Sequence, residues 1–64
     1  MISKRQFLKL KPYERGYAVY MAGERDDEPN VPNEQNPYRH GSNNAAEWER
    51  GQQQAVLDVQ DSEE

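Results

Sequence analysis

The sequence predicts an all-α fold: a two-helix hairpin with a long irregular connector, a short N-terminal helical turn and a disordered acidic C-terminal tail. Three observations lead there. Apolar and aromatic side chains recur at helical spacing in two separate stretches, capping signals stand at the start of each, and a proline-rich polar segment divides them. The chain has 64 residues, enough for a single small domain over 1–64. Its bulky aliphatic and phenylalanine set is only Ile2, Phe7, Leu8, Leu10, Val19, Val31, Val56, Leu57 and Val59, too few for an enzyme-sized core. With no cysteine, disulfides, thiolate catalysis and Cys-type zinc sites are all excluded, and a reducing, cytoplasmic setting is expected. The N-terminal stretch lacks the continuous apolar run of a signal peptide or membrane span, so no membrane partner is expected.

The elements follow in order. The basic N-terminal segment, 1–11, contains Ser3-Lys4-Arg5-Gln6, the pattern of a capping box, with Ile2 and Phe7 at the spacing of a hydrophobic staple. A helical turn is expected from Lys4 to about Leu10. Pro12 either ends that turn or opens the next helix, where its missing N–H costs nothing. The first full helix is expected over 12–23, with Tyr13, Gly16, Tyr17, Tyr20 and Met21 at helical spacing and Gly23 as its C-terminal glycine. Gly16 inside a helix costs about 1 kcal/mol relative to Ala. It shares a face with three tyrosines, where a missing side chain admits a second helix closely. The connector, 24–43, holds the Glu24–Glu28 acidic cluster and Pro29, Pro32 and Pro37. Its first half is expected to be mobile, and Asn36-Pro37-Tyr38 is the point where it should touch the helices. The second helix is expected over 44–59, opening with Ser42-Asn43-Asn44, each a good N-cap, and with Asn44 and Glu47 resembling a capping box. Ala45, Trp48, Gln52, Ala55, Val56 and Val59 form its apolar face, Gly51 borders it and Leu57 lies opposite. Residues 60–64 form the acidic tail.

In order, Arg15-Gly16-Tyr17, Ala22-Gly23, Pro37-Tyr38 and Trp48-x-x-Gly51-x-x-x-Ala55 resemble the ribosome modulation factor family, small helix-loop-helix proteins of bacteria and their mobile elements. The resemblance spans about residues 14–57. It implies two helices joined by a loop, with Gly16, Tyr17, Ala22, Gly23, Pro37, Tyr38, Trp48, Gly51 and Ala55 as the structural motif. For the founding members it also implies binding to the small ribosomal subunit near the messenger-binding region and the formation of inactive ribosome dimers. Asn36 stands where the family usually has Cys, and Gln52 stands where an aromatic often follows the glycine.

Charge is unevenly distributed. Residues 1–20 carry five basic side chains against one acidic, a net of +4, and residues 21–64 carry three against eleven, a net of −8. Lys4, Arg5, Lys9, Lys11 and Arg15 form a candidate phosphate-facing stripe, with Tyr13 and Tyr20 as candidate stacking groups. The competing reading is a solvated basic face and an aromatic core, with Tyr17 and Trp48 assigned to the core. A second functional class is an acidic phage- or plasmid-type modulator whose Asp26, Asp27, Glu28, Asp58, Asp61, Glu63 and Glu64 engage a basic surface on a host protein, imitating nucleic acid. A homodimer completed by exposed Leu10 and Leu57 is the third. His40 is the sole histidine; no nucleophile, nucleotide cradle or calcium-loop spacing accompanies it, so no enzyme activity, cofactor or metal is expected.

Overall fold

The computed structural model describes residues 2–26 and 28–62. Among these, three helices occur in the order α1 (Lys4–Leu8), α2 (Pro12–Arg25) and α3 (Asn43–Ser62), and no strand is present. In α1 the Ser3 hydroxyl accepts the Gln6 N–H and the Gln6 side-chain oxygen accepts the Ser3 N–H, at 3.1 and 3.0 Å, so both ends of the capping box close. The box turns Phe7 inward. Leu10, three residues on, follows Phe7 to the same side and packs against the core, while Leu8 points outward and is 58% exposed. Leu8, rather than the expected Leu10, is therefore the exposed N-terminal leucine.

Pro12 occupies the first position of α2, and the carbonyl of Lys11 before it accepts the Arg15 N–H at 2.8 Å. Gly23 does not end this helix. Glu24 and Arg25 are good helix formers and nothing after Gly23 breaks the pattern until Asp26, which takes the left-handed conformation (φ 54°, ψ 36°) and donates its N–H to Ala22 O. The helix thus ends at Arg25 instead of residue 23. A short polar side chain does there what a glycine was expected to do.

The connector doubles back along α2. Glu28 accepts the Ile2 N–H at 3.0 Å, Val31 is buried beside Val19 and Ala22, and Glu34 pairs with Arg15. Val31 thereby adds a connector side chain to the core formed with α2 and α3. Gly41 adopts φ 87° in the turn that delivers α3. Ser42 caps that helix: its hydroxyl donates to Arg39 O at 2.6 Å and accepts the Ala45 N–H at 3.1 Å. The helix accordingly begins at Asn43, one residue ahead of the expected start. Glu47 contacts Arg50 at 3.1 Å instead of closing a box with Asn44.

The expected tail is also partly helical. The Tyr17 hydroxyl donates to Asp58 Oδ2 at 2.6 Å and Gln54 Nε2 donates to Asp58 Oδ1 at 3.0 Å, which pins the last turns so that α3 runs through Ser62 instead of ending at residue 59. Glu63 and Glu64, the rest of that tail, and Asp27 in the connector lie outside the described residues.

The centre of the fold is a backbone contact. A Cβ built on Gly16 would collide with the Trp48 carbonyl, and one on Gly51 would collide with the Tyr13 carbonyl and come within 2.9 Å of the Tyr17 nitrogen. Each helix therefore contributes one glycine to the crossing. Phe7, Val19, Ala22, Val31 and Trp48 form the core beside it, joined by Ile2, Leu10, Ala18 and Tyr38. Ala45 and Ala55 are buried along α3.

Gly51→Ala is expected to destabilise by about 2 kcal/mol net, since the overpacking cost exceeds the gain of about 1 kcal/mol in helix propensity. Gly23→Ala, where a Cβ meets open space, should stabilise by about 1 kcal/mol. Urea titrations followed by circular dichroism measure both.

Candidate functional site

The seven candidate binding residues do not share one environment. Lys4, Arg5, Lys9 and Lys11 are exposed on α1 and its flanks, and none of them makes an ion pair among the described residues. The α1 helix sets this arrangement: with Phe7 turned inward, Lys4, Arg5 and Leu8 fall on the solvent side.

Arg15 leaves the set. Its Nε and Nη2 donate to the two carboxylate oxygens of Glu34 at 2.7 and 3.0 Å, a bidentate pair in which both side chains are only 17% exposed. The guanidinium also lies 4.9 Å from the Phe7 ring centre and 5.8 Å from that of Tyr38. Hydrogen bonding to Glu34 holds its pKa above the ordinary value. Arg15 is thus a structural cation roofing the core, and the expected stripe loses its fifth member. The sequence hid this because Glu34 lies nineteen residues away across the connector.

The aromatic residues separate in the same way. Trp48 is buried, and its indole N–H has no hydrogen-bond partner among the described residues. Tyr38 packs against the core from the connector, and Tyr20 is half-buried. Tyr17, assigned to the core, is half-buried with its hydroxyl on Asp58. Only Tyr13 stands exposed, at the edge of the α2–α3 crossing.

Asn36 and Gln52, the two positions where the sequence differs from the resembled pattern, both have structural work. Asn36 Nδ2 donates to Ala45 O at 2.9 Å while its Oδ1 accepts the Tyr38 N–H at 3.1 Å, which holds the Pro37-Tyr38 segment onto α3. Gln52 Nε2 donates to the Gly16 carbonyl beside the crossing. Nothing in the local sequence distinguishes such roles from those of surface amides.

A surface cleft of about 300 Å³ is lined by Asn36, Tyr38, His40, Ser42 and Glu49 among others. Ser42 and His40 stand close in sequence, yet the Ser42 hydroxyl donates to Arg39 O, so it cannot give its proton to the imidazole. Among the described residues no three His, Cys, Asp or Glu side chains gather as a metal site, and no helix is long and apolar enough to cross a membrane.

The Tyr17–Asp58 contact gives the molecule a pH signature. Hydrogen bonds from Tyr17 first and Gln54 second hold the Asp58 carboxyl below its usual range, and the bond to Asp58 pushes the Tyr17 phenol up. A lowered carboxyl pKa adds stability that is complete above about pH 4 and is lost as pH falls through the lowered value. A raised phenol pKa adds stability that is complete below about pH 10 and is lost as pH rises through the raised value. Tyr17→Phe is expected to remove the alkaline loss and shrink the acid one, in melting temperatures measured across pH by circular dichroism.

Compared with family models, curated proteins and solved structures, the chain matches none of them.

Proposed function

We propose that the chain is a small non-enzymatic binding protein, a helical hairpin of ribosome-modulation-factor type that acts in the cytoplasm on the translation machinery or another RNA-associated complex. One observation carries this reading: Lys4, Arg5, Lys9 and Lys11 are exposed without ion-pair partners on one short segment, although the chain is acidic as a whole. Cations spent on folding would be paired, as Arg15 is. Tyr13, at the border of this segment, adds an exposed ring on which a base can stack. The net charge of −4 weakens attraction to phosphates at long range, so binding would be local, through the N-terminal segment, and sensitive to salt.

A second reading rests on the opposite pole. Glu24 and Asp26 at the end of α2 and Asp58 and Asp61 near the end of α3 have no ion-pair partner among the described residues. They offer an acidic surface to a basic host protein, as a phage- or plasmid-type modulator would. Capture of ribosomal proteins that is lost on nuclease treatment supports the first reading, and nuclease-resistant capture of one basic protein supports the second.

In the first reading the protein co-sediments with ribosomal subunits at about 50 mM salt and dissociates as salt rises. Lys9→Gln is expected to lower the slope of log affinity against log salt by about 0.7 to 0.9. Arg15→Gln should leave that slope unchanged and instead reduce folding stability by about 2 kcal/mol, because it leaves Glu34 without its bidentate partner. Migration with free protein at low salt, or an Arg15 variant that changes the slope as Lys9→Gln does, would overturn the assignment.

A further inference from the structure

Two kinds of contact hold this molecule together. Between α2 and α3 the backbones meet at Gly16 and Gly51, Gln52 donates to the Gly16 carbonyl, and the Tyr17 hydroxyl donates to Asp58. These contacts lie within the helix pair. The N-terminal segment 2–10 and connector residues 28–34 are held differently. With five residues, α1 is too short to persist as a helix by itself, so it depends on Phe7 being seated in the core. The connector stretch is anchored by the buried Val31, whose N–H closes a turn onto Glu28 O at 3.1 Å.

These two segments are tied to each other at both ends. At one end Glu28 Oε2 accepts the Ile2 N–H at 3.0 Å, and Asn30 Nδ2 donates to the Ile2 carbonyl at 3.4 Å. At the other, Arg15 links them: its guanidinium lies 4.9 Å from the Phe7 ring centre while its Nε and Nη2 hold both carboxylate oxygens of Glu34. Phe7 and Val31 also belong to one core cluster. Neither segment can leave alone at little cost. If Phe7 withdraws, the cluster holding Val31 opens to water, and if Glu34 withdraws, Arg15 is left as a largely buried cation without its counter-ion.

We propose that residues 2–10 and 28–34 form one strap that lifts from α2 and settles on it as a unit while α2 and α3 stay joined, with Arg15–Glu34 as its latch. Local opening of this kind takes the parts of a fold with the fewest buried anchors first. The strap has Phe7 and Val31, whereas the helix pair has its glycine crossing, Trp48, Ala45 and Ala55. Lys4, Arg5 and Lys9 ride on the strap, so their presentation on a helix is governed by a carboxylate on the connector. The device requires no nucleic acid and stands independently of the polyanion reading.

The chain has no cysteine, so a single introduced thiol reports opening at its own position through its rate of reaction with a thiol reagent. Val31→Cys reports on the strap and Ala55→Cys on the helix pair. The first is expected to react about tenfold or more faster than the second. Two further substitutions, each added to both reporters, test the unit and its latch. Ser3→Ala removes a cap whose hydroxyl bonds Gln6 within α1, and it should speed the reaction at position 31 about fivefold. Glu34→Gln should speed it about tenfold. Neither should change the rate at position 55. Should Ala55→Cys lose its helical dichroism, hydrogen exchange of the Gly51 amide reports on the pair instead. An equal rise at both positions, the mark of one all-or-none transition, overturns the proposal. So does a connector that responds to Glu34→Gln and not to Ser3→Ala, since it then lifts without α1, and so does a rate at position 31 indifferent to Glu34→Gln.

Discussion

Two glycines allow two backbones to meet, and the rest of the molecule is arranged around that approach. At Gly16 the carbonyl of Trp48 occupies the space a side chain would need, and at Gly51 the carbonyl of Tyr13 does the same. Dispersion falls steeply with separation, so a chain with few bulky side chains gains most by bringing the ones it has into direct contact. The approach also places backbone polar groups at the crossing. Gln52 meets this by donating to the Gly16 carbonyl, a bond a phenylalanine at that position could not make.

Close helices do not by themselves make a core, and the material that completes it comes from outside α2 and α3. Phe7 is supplied by α1, Val31 and Tyr38 by the connector, and each packs where the helices leave apolar surface uncovered. Arg15 completes the cover from α2, lying over Phe7 and Tyr38 while Glu34 neutralises it. A guanidinium suits this position because it stacks on rings through its plane and satisfies a carboxylate through its edge, two demands an ammonium cannot meet together. The core is therefore complete only with the connector's Val31 and Tyr38 in place.

Periodic and local features were readable in the sequence; long-range polar pairings were not. The Ser3–Gln6 box, the glycines at 16 and 51 and the face holding Ala45, Trp48 and Ala55 follow from spacing alone. Gly23 reads as a stop because a glycine near the end of an apolar pattern is the usual signal, yet Glu24 and Arg25 continue the helix and Asp26 accepts the left-handed turn. The end of α3 lies beyond what local sequence indicates, because acidic residues there oppose the helix dipole while the stabilising contact, Tyr17 to Asp58, spans forty-one positions. The same holds for the candidate site. Four of its cations are exposed as composition suggests, and Arg15 is withdrawn by a partner on the connector.

The charges that remain make a coherent argument once those used by the fold are set aside. Arg15 and Glu34 neutralise each other, and Glu47 and Arg50 form a solvent-exposed pair that contributes little. What is left includes four exposed cations around α1, Arg25 and Arg39, and the carboxylates of Glu14, Glu24, Asp26, Glu49, Asp58 and Asp61, none of them in an ion pair among the described residues. No basic residue occupies the last turn of α3 to offset its dipole, although one there would be favourable. Asp58 serves the fold through Tyr17 and Gln54, whereas Lys4, Arg5, Lys9 and Lys11 are exposed and make no ion pair among the described residues. Clustered on one short segment, these four cations are arranged as a small protein needs to gain both attraction and orientation toward a partner of opposite charge.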